Sequence, residues 1–136
     1  MILGIGLDVI ETERIQKAME RHGERFKRRI FAPVEIAYCE RMPSPLLHFA
    51  ARFAAKEAFS KALGLGMTEG LRWAEIWIEN NARGAPLLRL EGAAARHAAE
   101  RGMTLGHVSL SHSHSVAAAV VVLEGEAPDV SPLPLE

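Results

Sequence analysis

The chain of 136 residues has one cysteine, Cys39. A lone cysteine excludes an intrachain disulfide framework and fits a reducing compartment. No base stands beside it in sequence, so Cys39 reads as a buried or semi-buried structural thiol. Aromatic residues are scarce, at 6%, and none is interleaved with the basic stretches as a stacking surface for nucleic acid requires. Neither sign of charge dominates: 16 Lys and Arg against 17 Asp and Glu leave a net charge of −1, so any basic character that attracts a partner is local. No apolar run reaches membrane-spanning length, and the N-terminus lacks the basic start and small-residue cleavage site of a signal peptide. These absences lead to the expectation of a cytoplasmic protein without nucleic-acid or membrane partners. The length gives one domain with a real core, and there is no internal repeat.

What the chain does have is an alanine-rich stretch, Phe49 to Gly64, free of internal Gly and Pro. It predicts a helix closed by Gly64 in the left-handed conformation. Ala51, Ala54, Ala55, Ala58, Phe59 and Ala62 make one broad apolar face. Arg52, Lys56, Glu57, Ser60 and Lys61 share the remaining arc, and Phe53 in its middle implies that something covers that side too. Glu57 and Lys61 stand at i,i+4. That spacing is compatible with an exposed ion pair. The neighbouring cations and hydroxyl fit equally a metal and phosphate site.

Residues 1–10 alternate as a strand, with Leu3, Ile5, Leu7 and Val9 on one face and Gly4, Gly6 and Asp8 on the other. The glycine face admits a ligand or another backbone, or else marks a bulge. Thr12 reads as the N-cap of a helix over about Glu13–His22 that buries Ile15, Ala18 and Met19. Arg14, Lys17 and Arg21, followed by Arg25, Lys27, Arg28 and Arg29, form a local basic patch. It is either a solvated helix face or a docking surface for an acidic partner. Phe26 and Phe31 read as core anchors, Pro33 opens a short helix, and His48 reads as a cap or surface residue. Glu75–Glu79 and Leu87–Leu90 flank turn residues as a hairpin, and a helix spans Gly92–Arg101. Strands over His107–His112 and Val116–Leu123 follow. The last is apolar at every position, so both its faces are expected to be covered, one of them by another subunit. His112 and His114 form an H-x-H pair, which would need a third ligand to hold zinc. A polar rim that meets a ligand phosphate is the favoured reading.

Three blocks, Gly4-Ile5-Gly6-Leu7-Asp8, Arg52 to Gly64, and Val108-Ser109-Leu110-Ser111-His112-Ser113, together resemble the holo-acyl-carrier-protein synthases, the small bacterial 4′-phosphopantetheinyl transferases. The resemblance runs to about Glu124. It implies an α+β fold, a small antiparallel sheet with a long central helix packed on it, assembled as a trimer with active sites between subunits. It implies transfer of the phosphopantetheine arm of coenzyme A to a serine of apo acyl carrier protein, releasing adenosine 3′,5′-bisphosphate. Carried over by position, Asp8 and Glu57 would hold Mg²⁺, with the bare glycine face leaving room for metal and diphosphate. Lys61 would contact the phosphoryl group, and Glu57, directly or through a metal-bound water, would take the proton of the attacking serine. His112 joins them as a catalytic candidate. Arg52, Ser60, Lys61, Gly84, Pro86, Ser109, Ser111 and His112 would bind coenzyme A. Arg14 matches a docking position for the carrier protein; Arg21, Arg25 and Arg28 follow from charge alone. The position after His112, acidic in some relatives, is Ser113, so no third carboxylate ligand is expected there. The expected organisation is a transferase domain over 1–124 and a proline-containing, poorly ordered tail over 125–136. The competing readings are another metal-dependent phosphotransferase or hydrolase of a nucleotide diphosphate, and a basic module that binds acidic proteins or RNA.

Overall fold

The computed structural model describes residues 1–126; all of the expected tail beyond Glu126 lies outside them. Strand β1 (Ile2–Glu11) leads into helix α1 (Thr12–Ile30), then α2 (Pro33–Glu40) and the long α3 (Pro45–Leu63). A single 3₁₀ turn at Trp73–Glu75 precedes the hairpin β2 (Ile76–Asn80) and β3 (Pro86–Leu90). Helix α4 (Gly92–Glu100) and strands β4 (Met103–His112) and β5 (Val116–Gly125) complete the described chain. The fold is α+β, as the resemblance implies. One antiparallel sheet has the order β1-β5-β4, with β2-β3 as a separate two-stranded sheet.

Helix α3 lies on one face of the three-stranded sheet, and Gly64 ends it at φ 76°. Alternate residues of β5, among them Ala117, Ala119 and Val121, are buried beneath it. A small residue on each side lets helix and sheet approach closely. The extreme case is β1: a Cβ on Gly6 would fall 1.8 Å from the Ala58 carbonyl oxygen, and one on Gly4 2.0 Å from that of Ala62. Of the readings open for the glycine face, the second backbone is correct, and the register of β1 on β5 also shifts between Ile2 and Gly4. The room expected there for metal and diphosphate is filled by α3.

Other expectations change as well. The first helix of α1 does end at His22, since Gly23 is non-helical (φ 54°, ψ −133°), but a second helical segment follows at once to Ile30 and brings Phe26 and Ile30 to the core. Thr12 is not the N-cap; Glu11 is. The Thr12 hydroxyl instead donates to the His114 carbonyl (3.0 Å) and ties the start of α1 to the β4–β5 turn. Phe53 is covered within the chain rather than by a subunit, since it stacks on Trp73 with ring centroids 4.8 Å apart.

The polar arc of α3 is covered, as Phe53 in its middle implies, and three of its side chains are buried within the chain itself. Arg52, Lys56 and Ser60 are buried. Lys56 Nζ donates to Glu35 Oε1 (2.7 Å), to the Trp73 carbonyl (3.1 Å) and to the Ile76 carbonyl. Glu35, from α2, also accepts the backbone N–H groups of Ala32 and Ile78, both at 3.0 Å. A buried charge persists only when paired and hydrogen-bonded. This pair uses that requirement to lock α2, α3 and β2 together. Cys39 is wholly buried beside it, and burial pushes its thiol up to about 12.

The other face of the sheet has no cover among the described residues. Ile5, Leu7 and Val9 are 61%, 59% and 61% exposed. They pair across β1–β5 with Val122, Val120 and Ala118, which are only half-buried.

Candidate active site

Two clusters of polar side chains flank α3. The first stands on the β1 side. Strand alternation turns Asp8 toward the helix, as it does Gly4 and Gly6. Its Oδ1 accepts from Lys61 Nζ at 3.0 Å, and the same ammonium donates to the Leu7 carbonyl at 3.0 Å. The exposed Glu57–Lys61 ion pair read from the sequence is absent among the described residues; Lys61 reaches across to the strand instead. Glu57 is half-buried, and burial followed by the negative charge of Asp8 raises its carboxyl above the ordinary range. Lys61 and Arg14 partly offset this. Two carboxylates from residues 49 positions apart thus sense each other beside one lysine, an arrangement that favours a cation.

The second cluster is a cleft of about 240 Å³ on the β4 side, lined by Tyr38, His48, Arg52, Asn80, Pro86 and His112 among others. Gly84, Ser109 and Leu110 complete its polar and apolar walls. The buried Arg52 guanidinium donates through Nη2 to Asn80 Oδ1 (2.6 Å) and lies 4.3 Å over the Tyr38 ring, while its Nε has no partner. Asn80 in turn donates to the Gly84 carbonyl at 3.0 Å. Gly84 itself sits at φ 84°, a conformation that glycine adopts without strain. The imidazoles of His48 and His112 meet edge to face, 5.1 Å apart. No Asp or Glu is among the lining residues, so the cleft presents an uncompensated guanidinium to whatever enters it.

Of the residues singled out from sequence, the structure brings Arg52, Gly84, Pro86, Ser109 and His112 into this cleft. Asp8, Glu57 and Lys61 come together on the other side of α3. Ser60 joins neither group: it is buried, and its hydroxyl donates to the Glu57 carbonyl at 2.7 Å. Ser111 is exposed on the uncovered sheet face and is not part of the cleft wall. The sequence reading missed Tyr38, His48 and Asn80, which arrive from three separate elements and share no local pattern.

The basic patch occupies one side of α1. Arg14, Lys17, Ala18, Arg21 and His22 line one shallow depression and His22, Arg25, Phe26 and Arg29 the next. Lys17 and Lys27 are paired with carboxylates, whereas Arg14, Arg21, Arg25 and Arg28 are exposed and in no ion pair among the described residues.

With this geometry in place, the chain can be set beside known proteins. A family model for the 4′-phosphopantetheinyl transferase superfamily matches residues 4–121. The chain belongs to this superfamily. The match takes in both polar clusters, since Asp8 and His112 lie inside its ends. The holo-[acyl-carrier-protein] synthase of Syntrophus aciditrophicus is 44% identical over 125 residues, covering 92% of this chain and 98% of that protein. Among solved structures, the holo-[acyl-carrier-protein] synthase of Neisseria meningitidis aligns with a TM-score of 0.83 at 34% identity, over 91% of this chain and 99% of that one. The Helicobacter pylori holo-[acyl-carrier-protein] synthase, determined in complex with coenzyme A, aligns with a TM-score of 0.78 at 32% identity, over 88% and 99% of the two chains.

Proposed function

We propose that this member of the superfamily is a holo-[acyl-carrier-protein] synthase that uses Mg²⁺ to transfer the 4′-phosphopantetheine arm of coenzyme A to a serine of apo acyl carrier protein. The observation that carries this reading is the meeting of Asp8 and Glu57 beside Lys61. The donor set fits the ion: hard carboxylate oxygens, only two from the protein, leave positions for phosphate and water in an octahedral shell. The mutual repulsion of Asp8 and Glu57 is a second indication, because a divalent cation relieves it. When bound, Mg²⁺ would neutralise diphosphate charge and polarise the phosphoryl group.

The chain's own residues supply the remainder. The serine oxygen forms a bond to the phosphorus that bears the pantetheine, and the bond from that phosphorus to the bridging oxygen breaks. Adenosine 3′,5′-bisphosphate leaves with the electron pair. Glu57, directly or through a metal-bound water, would take the serine proton. Lys61 stabilises charge that builds toward the leaving group. Arg52 and His112, with Ser109 and the Gly84–Pro86 turn, hold the adenosine end with its 3′-phosphate. Arg14, Arg21, Arg25 and Arg28 dock the acidic carrier through rim charges.

A homotrimer belongs to the same proposal. The two polar clusters stand at opposite edges of the β1-β5-β4 sheet, and the face left open among the described residues is apolar along β1 and β5. Packing these faces around a threefold axis would bury that surface and bring one copy's carboxylates to the next copy's cleft. Residues 1–124 would form the transferase domain, working in the cytoplasm.

The experiment incubates the full chain with apo carrier protein, coenzyme A and Mg²⁺ and weighs the carrier by mass spectrometry. A gain of one phosphopantetheine, lost in the Asp8→Asn/Glu57→Gln double variant, is the expected result. Coenzyme A cleavage without any carrier would point to a diphosphate hydrolase. Carrier binding that survives the double variant, with no mass gain, would point to a basic binding module.

A further inference from the structure

The His48 ring lines the cleft between three neighbours. Tyr38 from α2 meets it edge-on with centroids 5.9 Å apart, His112 from β4 meets it at 5.1 Å, and Arg52, one turn further along α3, places its guanidinium nearby. Asn80 and the Gly84–Pro86 segment bring no charge, and no carboxylate lines the cleft. Protonating either imidazole therefore adds a second cation beside a guanidinium that nothing neutralises. Burial, then His112, then Arg52 hold His48 below the ordinary imidazole range. A phosphomonoester reverses this balance: a dianion between Arg52 and the two rings makes a protonated imidazole favourable and gives its N–H an acceptor.

We propose that His48 recognises the terminal phosphomonoester of the nucleotide in this cleft, its imidazole taking up a proton against His112 as the phosphate enters beside Arg52. This rests on the reading of the cleft as the site of the adenosine end. It adds a residue, and a discrimination between nucleotides that carry the 3′-phosphate and those that lack it. Binding of the phosphorylated nucleotide is then coupled to proton uptake and tightens as pH falls from the alkaline side toward about 6.5, where the phosphate favours the charged imidazole.

The test is calorimetric titration of the full-length chain with adenosine 3′,5′-bisphosphate and with adenosine 5′-monophosphate, in buffers of contrasting ionisation enthalpy. Wild type is expected to draw protons on binding the bisphosphate and fewer on binding the monophosphate. His48→Gln, which retains a polar side chain but no proton-accepting ring, should abolish most of the difference in uptake. It should also weaken the bisphosphate about tenfold at pH 6.5, the value of a charge-assisted hydrogen bond, with little change at pH 8.5. His48→Phe, which keeps the aromatic contact with Tyr38, should give the same result and guards against a packing artefact. Uptake and discrimination unchanged in both variants would overturn the role of His48 while leaving the cleft reading intact. Bisphosphate binding that is absent in wild type, or indifferent to Arg52→Gln, would overturn the cleft reading and this inference with it.

Discussion

Gly6→Ala isolates the contact on which the site geometry depends. The added Cβ would lie 1.8 Å from the Ala58 oxygen, 2.7 Å from its carbonyl carbon and 2.8 Å from the Ala62 nitrogen. All three are backbone atoms, so no side chain can swing away. Restoring an ordinary 3.4 Å contact to the oxygen requires roughly 1.5 Å of retreat by α3 or β1. The layer between them consists largely of Ala54, Ala58, Ala117 and Ala119, and alanines cannot reach across a widened gap. Overpacking in cores costs about 1–3 kcal/mol and occasionally more. With backbone on both sides, about 3 kcal/mol or above is expected here, or ~10 °C in Tm for a chain of this size. The displacement also separates β1 from α3, which is to say Asp8 from Glu57. Urea unfolding gives the stability, and carrier modification by the surviving folded fraction gives the function. Both should fall. A Gly6→Ala protein within about 1 kcal/mol of wild type, with unchanged m-value, would refute the reasoning that glycine is required for helix approach.

Lys56→Met leaves the Glu35 carboxylate buried without its cation and should cost about 3–5 kcal/mol, whereas Lys56→Met with Glu35→Leu should recover much of that loss; urea denaturation of the two variants checks it. For Glu57, the folded value lies above the unfolded one, so between them the folded chain binds more protons and stability falls as pH rises through that window. Glu57→Gln should flatten that decline and raise Tm at pH 7 when divalent cations are absent, and millimolar Mg²⁺ should stabilise wild type but not the variant; thermal unfolding across pH reads both. The Cys39 thiol, wholly buried and pushed up to about 12, should resist maleimide at pH 7.5 until the chain unfolds, with labelling followed by mass.

The parts of the fold that follow local patterns could be read directly. Phe49–Leu63 is alanine-rich and Gly64 stops it; the hairpin strands are separated by Asn, Gly and Pro. The glycine face needed a non-local comparison, though the signal was present. Gly4 and Gly6 are two strand residues apart, about 6.7 Å, and Ala58 and Ala62 are one helical turn apart, about 6 Å. These spacings nearly match, so a helix with those alanines can lie along a strand with those glycines. Gly23 does interrupt α1 as it looks in sequence, and only the burial of Phe26 and Ile30 shows that a second helical segment resumes beyond it. Of the two polar clusters, Asp8 with Glu57 could be anticipated only through the resemblance. His48, Tyr38 and Asn80 could not, because the cleft exists only once α2, α3, β2 and β4 converge.

The polar residues of α3 show how far a helical wheel leaves their individual partners open. A wheel sorts side chains into core and solvent, and it treats a run of charges as a solvated face. Helix α3 is instead covered on most sides, by the sheet, by α2, and by the loop and hairpin that follow. Each polar side chain must then find its partner inside the protein, and each finds a different one. Arg52 lies in the cleft against Asn80 and Tyr38. Lys56 goes into the core against Glu35. Ser60 returns its hydroxyl to the helix's own backbone. Lys61 crosses to Asp8. Glu57 is the member of the set with no donor among its described side-chain contacts, and its environment makes it hold a proton more tightly than usual. Among the described residues the Glu57 carboxylate and the Arg52 Nε are thus left without a partner by the fold, which is what their proposed roles toward a ligand require.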